Sequence, residues 1–190
     1  GDRTGGVRTE VRKDVLVERP SPAVALVRLN RPHVRNALNL SIRQELAGVF
    51  RCFVDDAQLR CVVLTGNEQA FAAGADIEDM SRIDAVEMYH RHTERLWNAV
   101  GSCPVPVIAA INGYALGGGL ELAMNADIII AGRSARLGQP EVKVGIMPGA
   151  GGTQRLTRAI GKFRAMYLCM SGEVITAEQA YAMGLVSKLV

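Results

Sequence analysis

Two carboxylates and three glycine-marked turns are the residues of this chain best suited to chemistry. Glu121 follows the three glycines of the run Asn112-Gly113-Tyr114-Ala115-Leu116-Gly117-Gly118-Gly119-Leu120-Glu121-Leu122-Ala123-Met124. Successive glycines let backbone turn tightly and approach a ligand without a Cβ in the way. Glu121 stands among Leu120, Leu122 and Ala123, where a buried charge is costly unless it is paired or used. Glu141 follows twenty residues on, in Gly138-Gln139-Pro140-Glu141, and Phe71-Ala72-Ala73-Gly74-Ala75-Asp76 forms a further glycine turn upstream. Two carboxylates beside exposed backbone N–H groups suit acid–base chemistry next to an oxyanion hole.

These residues need a scaffold. Val24 to Leu29 reads as a strand ended at Asn30-Arg31-Pro32, since proline cannot continue a ladder. Ser41 and Gln44 form a capping-box pattern, and Ile42, Leu46, Val49, Phe50 and Phe53 keep helical spacing behind it. Cys61 to Thr65 predicts a strand turned by Gly66-Asn67. A helix starts near Asp84, with Glu87 three residues on, and Val86, Tyr89, Leu96, Trp97 and Val100 mark its buried face. Pro104 and Pro106 stop it. Val107 to Ile111 and Asp127 to Ala131 predict strands. Gly149-Ala150-Gly151-Gly152 opens a helix over Thr153 to Ile160, and the loop is placed either as a plain turn or as a ligand contact. Thr176 and Gln179 start a capped helix with Gly184 at C′, and the chain then runs to Val190 in strand-like sequence. Asp76 suits an N-cap. His90 and His92 fall on a polar helix face, and Leu96-Trp97 reads as core. No linker, low-complexity block or clear sequence repeat interrupts the pattern. Alternating helix, strand and glycine turn predicts an α/β domain.

Composition excludes several classes. The 190 residues fit one domain. A hydrophobic fraction of 48% and a charged fraction of 22% are ordinary for a globular chain. The net charge of +3, spread rather than clustered, argues against nucleic acid. No apolar run reaches the roughly 18 residues of a membrane span. Gly1 to Arg8 lacks a signal-peptide core and reads with its neighbours as a flexible tail over residues 1–14. None of Cys52, Cys61, Cys103 and Cys169 forms a CxxC pair. With only three histidines, zinc is not expected, and buried free thiols in a reducing cytoplasm are. Neither glycine cluster fits G-x-G-x-x-G/A: the sixth position is Leu122 from Gly117 and Gln154 from Gly149. No Gly-Lys-Ser/Thr occurs, so dinucleotide and P-loop readings fail.

The segments AAGAD, NGYALGGGLELA and GQPEVKVGIMPGAGGTQRL resemble, in order and spacing, the enoyl-CoA hydratase/isomerase (crotonase) family, from about Val15 to the last residue. The wording of GIMPGAGGTQRL and SGEVITAEQA resembles bacterial hydratases of fatty-acid and phenylacetate breakdown. The resemblance implies a spiral of stacked β-β-α turns over residues 15–190. It also implies a C-terminal helical region that completes the pocket and a homotrimer or dimer of trimers, and residues 1–190 stop short of that region.

The implied activity is enoyl-CoA hydration in the cytoplasm, on an acyl-CoA thioester, with no metal or redox cofactor and no nucleic-acid or membrane partner. The implied oxyanion donors are the amides of Ala75 and Gly118, the latter at a glycine turn feeding a helix N-terminus. Glu121 is implied as base toward water and Glu141 as proton donor to Cα, with apolar surroundings raising a pKa so that acid and base coexist. Ala73, Ala75, Asp76, Ile77, Glu78 and Gly118 are the implied substrate contacts, with CoA along Ala73 to Glu78. Isomerase relatives commonly lack the first glutamate, so Glu121 favours a hydratase. Alternatives within the family are 2,3-dehydroadipyl-CoA hydration, enoyl-CoA isomerisation, and non-catalytic CoA or RNA binding. The helix from Asp84 to Val100 is expected to shape acyl specificity.

Overall fold

The computed structural model describes residues 10–11 and 14–190. Most of the expected tail over residues 1–14 therefore lies outside the described residues. Glu10–Val11 (β1) pairs antiparallel with Val15–Ser21 (β2), and β2 pairs antiparallel with Val24–Leu29 (β3). Leu40–Cys52 (α1) follows. The chain then repeats one pattern. Cys61–Thr65 (β4) and Ala70–Ala72 (β5) lead to three short helices, Ile77–Ser81 (α2), Ala85–His90 (α3) and Thr93–Gly101 (α4). Val107–Ile111 (β6) and Tyr114–Leu116 (β7) lead to Gly118–Ala123 (α5). Ile128–Ala131 (β8) and Arg136–Gly138 (β9) lead through a 3-10 turn, Pro140–Val144, to Gly152–Ile160 (α6) and Lys162–Ser171 (α7). Val174–Thr176 (β10), Ala177–Ala182 (α8) and Lys188–Leu189 (β11) complete it.

Each turn gives its first strand to one sheet and its second to another. The seven-stranded sheet runs β1-β2-β3-β4-β6-β8-β11, and the four-stranded sheet runs β10-β9-β7-β5. Strands from successive turns pair in parallel: Leu64 faces Ala109 and Ala109 faces Ile129; Ala72 faces Ala115 and Ala115 faces Leu137. This is the expected β-β-α spiral. A structural repeat exists although no sequence repeat marks it, because each turn needs only a short apolar strand, a bend and a second strand.

Register does the positioning. The ends of β5, β7 and β9 lie side by side, and they lead into Ala73-Gly74-Ala75, Gly117-Gly118-Gly119 and Gln139-Pro140-Glu141. Segments far apart in sequence thus become neighbours because they occupy the same point of successive turns.

The helix over α1 forms as expected and buries Ile42, Leu46, Val49 and Phe50, with Phe53 just beyond. Each such side chain contributes about 1.5–3 kcal/mol on leaving water. Its cap is Asn39 rather than Ser41: Asn39 is extended and its side chain accepts the Ile42 N–H at 3.0 Å. Asp84 caps α3 by accepting the Glu87 N–H at 2.8 Å, but the single helix expected from Asp84 to Val100 is two. His92 adopts φ +46°, which breaks the helix and resets its face. Trp97 and Val100 are buried on α4, whereas Val86 and Tyr89 on α3 are 64% and 74% exposed. His92 thus sits in the break rather than on a helix face, while His90 is exposed. The Thr176–Gln179 capping box forms, with Gly184 at φ +85° just past α8. All four cysteines are free, but none is fully buried and Cys52 is exposed, since it ends α1 off the Ile42–Phe50 stripe.

Candidate active site

Ala75 is placed by a short parallel pairing with Leu38. The Leu38 N–H donates to the Gly74 carbonyl at 2.8 Å, and the Asp76 N–H donates to the Leu38 carbonyl at 3.3 Å. Leu38 therefore engages the neighbours of Ala75 and leaves the Ala75 N–H directed elsewhere. Asn36 anchors this strand: fully buried, it donates to the carbonyls of Ala70 and Phe71 at 3.0 and 3.2 Å.

The three consecutive glycines have different reasons. Gly117 has φ +49°, and a Cβ there would lie 3.2 Å from Glu141 Oε1. Gly119 packs so tightly that a Cβ would lie 2.1 Å from the Ala72 carbonyl oxygen. Gly118 is the open one. A Cβ there would lie 3.6 Å from the Ala75 nitrogen and 4.0 Å from Glu121 Oε2. Gly118 also opens α5, where first-turn N–H groups have no intrahelical acceptor. The Gly118 backbone, the Ala75 amide and one oxygen of Glu121 thus face the same space.

Glu121 is 3% exposed. Its Oε1 accepts from Ala150 N–H at 2.8 Å and Gly152 N–H at 2.7 Å. The Gly149–Gly152 loop is therefore more than a plain turn: two of its amides orient a carboxylate, and Gly149 and Ala150 line the same cavity as Glu121. Burial pushes the Glu121 pKa up; those two amides, and Arg43 more remotely, act against it. Glu141 lies in the first turn of the 3-10 segment after β9 and is almost as buried. Burial, assisted by the charge of Glu121, raises its pKa to about 7. Fully buried Gln139 abuts it: with its amide nitrogen toward Glu141, it donates to Oε1 at 2.7 Å and Oε2 at 3.1 Å. The opposite amide orientation would instead accept from a protonated Glu141.

Ala73, Ala75, Ile77, Gly118, Glu121 and Glu141 line one cavity of about 700 Å³, a volume suited to a small organic ligand. Asp76 and Glu78 do not line it. Asp76 caps α2 through the Asp79 N–H and pairs with Arg31 at 3.1 Å, while Glu78 pairs with Arg82 on the surface. Trp97 joins the cavity wall as well as the core. Two carboxylates of raised pKa and two backbone amides around one cavity can polarise a carbonyl and move protons beside it.

The chain matches the family described as enoyl-CoA hydratase/isomerase over residues 19–190. It belongs to the enoyl-CoA hydratase/isomerase family. A probable mitochondrial enoyl-CoA hydratase of Dictyostelium discoideum is 49% identical over 88% of the chain and 60% of its own length. The 2,3-dehydroadipyl-CoA hydratase of Escherichia coli is 47% identical over 86% of the chain and 64% of its own. The solved enoyl-CoA hydratase of Bacillus anthracis superposes with a TM-score of 0.89 at 41% identity, over 94% of the chain and 70% of that one. The chain thus spans under two thirds of the length of these two curated relatives.

Within this enoyl-CoA hydratase/isomerase chain, the sequence marked the Gly149–Gly152 loop but not that Ala150 and Gly152 hold Glu121, and it assigned no role to Gln139 or Arg43. Gln139 directly precedes the Pro140-Glu141 pair, so the motif carried that signal. Arg43 carried none, since a lone arginine on an amphipathic helix reads as surface.

Proposed function

We propose that the protein hydrates trans-2-enoyl-CoA thioesters to 3-hydroxyacyl-CoA. One observation carries this reading: two buried glutamates share a cavity with the amides of Ala75 and Gly118. Addition of water to the conjugated double bond places negative charge on the thioester oxygen. The Ala75 and Gly118 N–H groups stabilise that enolate. Glu121, oriented through Oε1 by Ala150 and Gly152, uses its other oxygen to take a proton from water attacking Cβ. Glu141, with a pKa of about 7, holds a proton near neutrality and delivers it to Cα. The CoA portion runs along Ala73 to Glu78, and the reaction needs no further cofactor. Retention of both glutamates favours a hydratase over an isomerase or a non-catalytic CoA or RNA binder.

The same reading takes the intact enzyme as cytoplasmic and as a homotrimer or dimer of trimers. Among the described residues no helix is long and apolar enough to cross a membrane. Light scattering tests the assembly, and a monomer at micromolar concentration would overturn it. The activity is tested by following loss of the enoyl absorbance of crotonyl-CoA. No hydration of crotonyl-CoA or longer enoyl-CoAs would reject the assignment.

A further inference from the structure

The cavity wall holds a cation that no carboxylate among the described residues pairs with. Arg43, on α1, donates from Nε to the Leu38 carbonyl at 3.1 Å and lies over the Trp97 ring at 5.4 Å from its centroid. These contacts fix the guanidinium and leave its terminal nitrogens available, since an arginine offers five donors. The neighbouring carboxylates are engaged elsewhere. Asp79 pairs with Arg91 at 3.0 Å and accepts the Leu40 N–H at 3.2 Å. Asp76 pairs with Arg31, and Glu121 is held through Oε1 by two amides, with its other oxygen beside Gly118 rather than in a salt bridge to Arg43. The cavity that Arg43 lines is rich in apolar side chains, among them Leu40, Met80, Met88, Trp97, Ile146 and Met147. A largely desolvated guanidinium destabilises a fold unless something supplies its counter-charge.

We propose that Arg43 binds a carboxylate at the far end of the acyl chain, so that the enzyme selects ω-carboxylated enoyl-CoA thioesters. The proposal rests on the hydratase reading. With the thioester oxygen on Ala75 and Gly118, an acyl chain of several methylenes runs along the methionine-lined wall toward Trp97 and ends at the guanidinium. A planar guanidinium, steadied on an aromatic face, matches a carboxylate with two parallel hydrogen bonds.

The test compares kcat/KM for two trans-2-enoyl-CoAs of equal chain length, one ending in a methyl group and one in a carboxylate. The ratio is the readout, so a general loss of activity cancels. The wild type favours the carboxylate about 10- to 100-fold, the worth of a charge-assisted pair. Arg43→Met abolishes that preference; Arg43→Lys, which keeps the charge without the fork, lowers it partway. A wild-type enzyme that prefers the methyl-ended substrate overturns the proposal without any variant. So does an unchanged ratio in Arg43→Met. Dissociation constants for the two corresponding saturated acyl-CoAs give a second, reaction-free reading of the same ratio. If neither enoyl-CoA is hydrated, the hydratase reading fails, and the binding ratio alone decides the role of Arg43. Equal or undetectable binding of the two overturns it.

Discussion

The Gly152 N–H, in the first turn of α6, donates to Glu121 Oε1 at 2.7 Å. The carboxylate is thereby held from one side by a different turn of the spiral, with the Ala150 N–H as a second donor at 2.8 Å. Only one oxygen of Glu121 is committed in this way, and the other faces the space beside Gly118. A rigid orientation and a partly offset desolvation cost follow from the same two bonds.

Gly152→Ala disturbs this arrangement directly. A Cβ at Gly152 would lie 2.8 Å from Glu121 Oε1 and 2.9 Å from Pro148 Cβ, closer than real contacts allow. The carboxylate must shift, and kcat is expected to fall by about 10-fold or more, in line with the cost of misplacing a reacting group. Steady-state kinetics beside a thermal melt checks this. An unchanged kcat would show that the clamp on Oε1 is dispensable.

Glu121→Gln and Glu141→Gln are each expected to lower kcat by about 10²–10⁴, the usual worth of a positioned acid or base. Glutamine keeps the shape, and its carbonyl can still accept from Ala150 and Gly152 at position 121. Binding of a saturated acyl-CoA should therefore change little. Near-wild-type hydration by either variant would remove that residue from the mechanism.

Gly118 and Gly119 should fail differently. At Gly118 an added Cβ finds room, with 3.6 Å to the nearest atom, but it enters the space between the Ala75 amide and Glu121. Gly118→Ala should fold and lose on the order of 10² in kcat/KM, and Gly118→Val should lose more. At Gly119 the clash with the Ala72 carbonyl forces backbone apart and should cost about 1–3 kcal/mol of stability. Melting temperatures and kcat/KM measured on both variants separate the two roles. A fully active Gly118→Val protein would reject the oxyanion assignment.

The pH dependence follows from Glu141. Hydration uses its protonated form, so kcat/KM should fall as pH rises through about 7. The rising limb is set by ionisation of Glu121, whose pKa burial also pushes up. Stability moves with the same proton. The folded pKa of about 7 exceeds the unfolded value of 4.5, so the native state binds more protons between those values. Stability attributable to this group is greatest below pH 4.5, declines as pH rises toward 7, and stays low above it. At about 1.4 kcal/mol per pKa unit the loss is of the order of 3 kcal/mol. Glu141→Gln should remove that slope. Urea melts at several pH values, run on both proteins, would show parallel curves if Glu141 does not titrate here.

The chemistry-bearing parts were legible in the sequence because they are local. A glycine run beside a glutamate announces itself in a dozen residues, and the amphipathic stripe from Ile42 to Phe50 marks α1 by its period. The strands of the large sheet were legible where four or five apolar residues run together, as in residues 24–27 and Val107–Ile111. Strands β5, β7, β9 and β10 were not, since three residues carry no period and their identity comes from pairing across turns. Nor could periodicity foresee the break at His92, where a left-handed residue and the ion pairs of Arg91 with Asp79 and Glu87 end one helix and start another. The tertiary structure alone decided which backbone amides hold Glu121, which residue faces Glu141, and that Arg43 turns inward over Trp97. The clamp on Glu121 and the stacking of Arg43 on Trp97 join segments 29 and 54 residues apart, which only the packing of successive turns brings within reach; Gln139 is near Glu141 in sequence, but only the fold turns its amide onto the carboxylate.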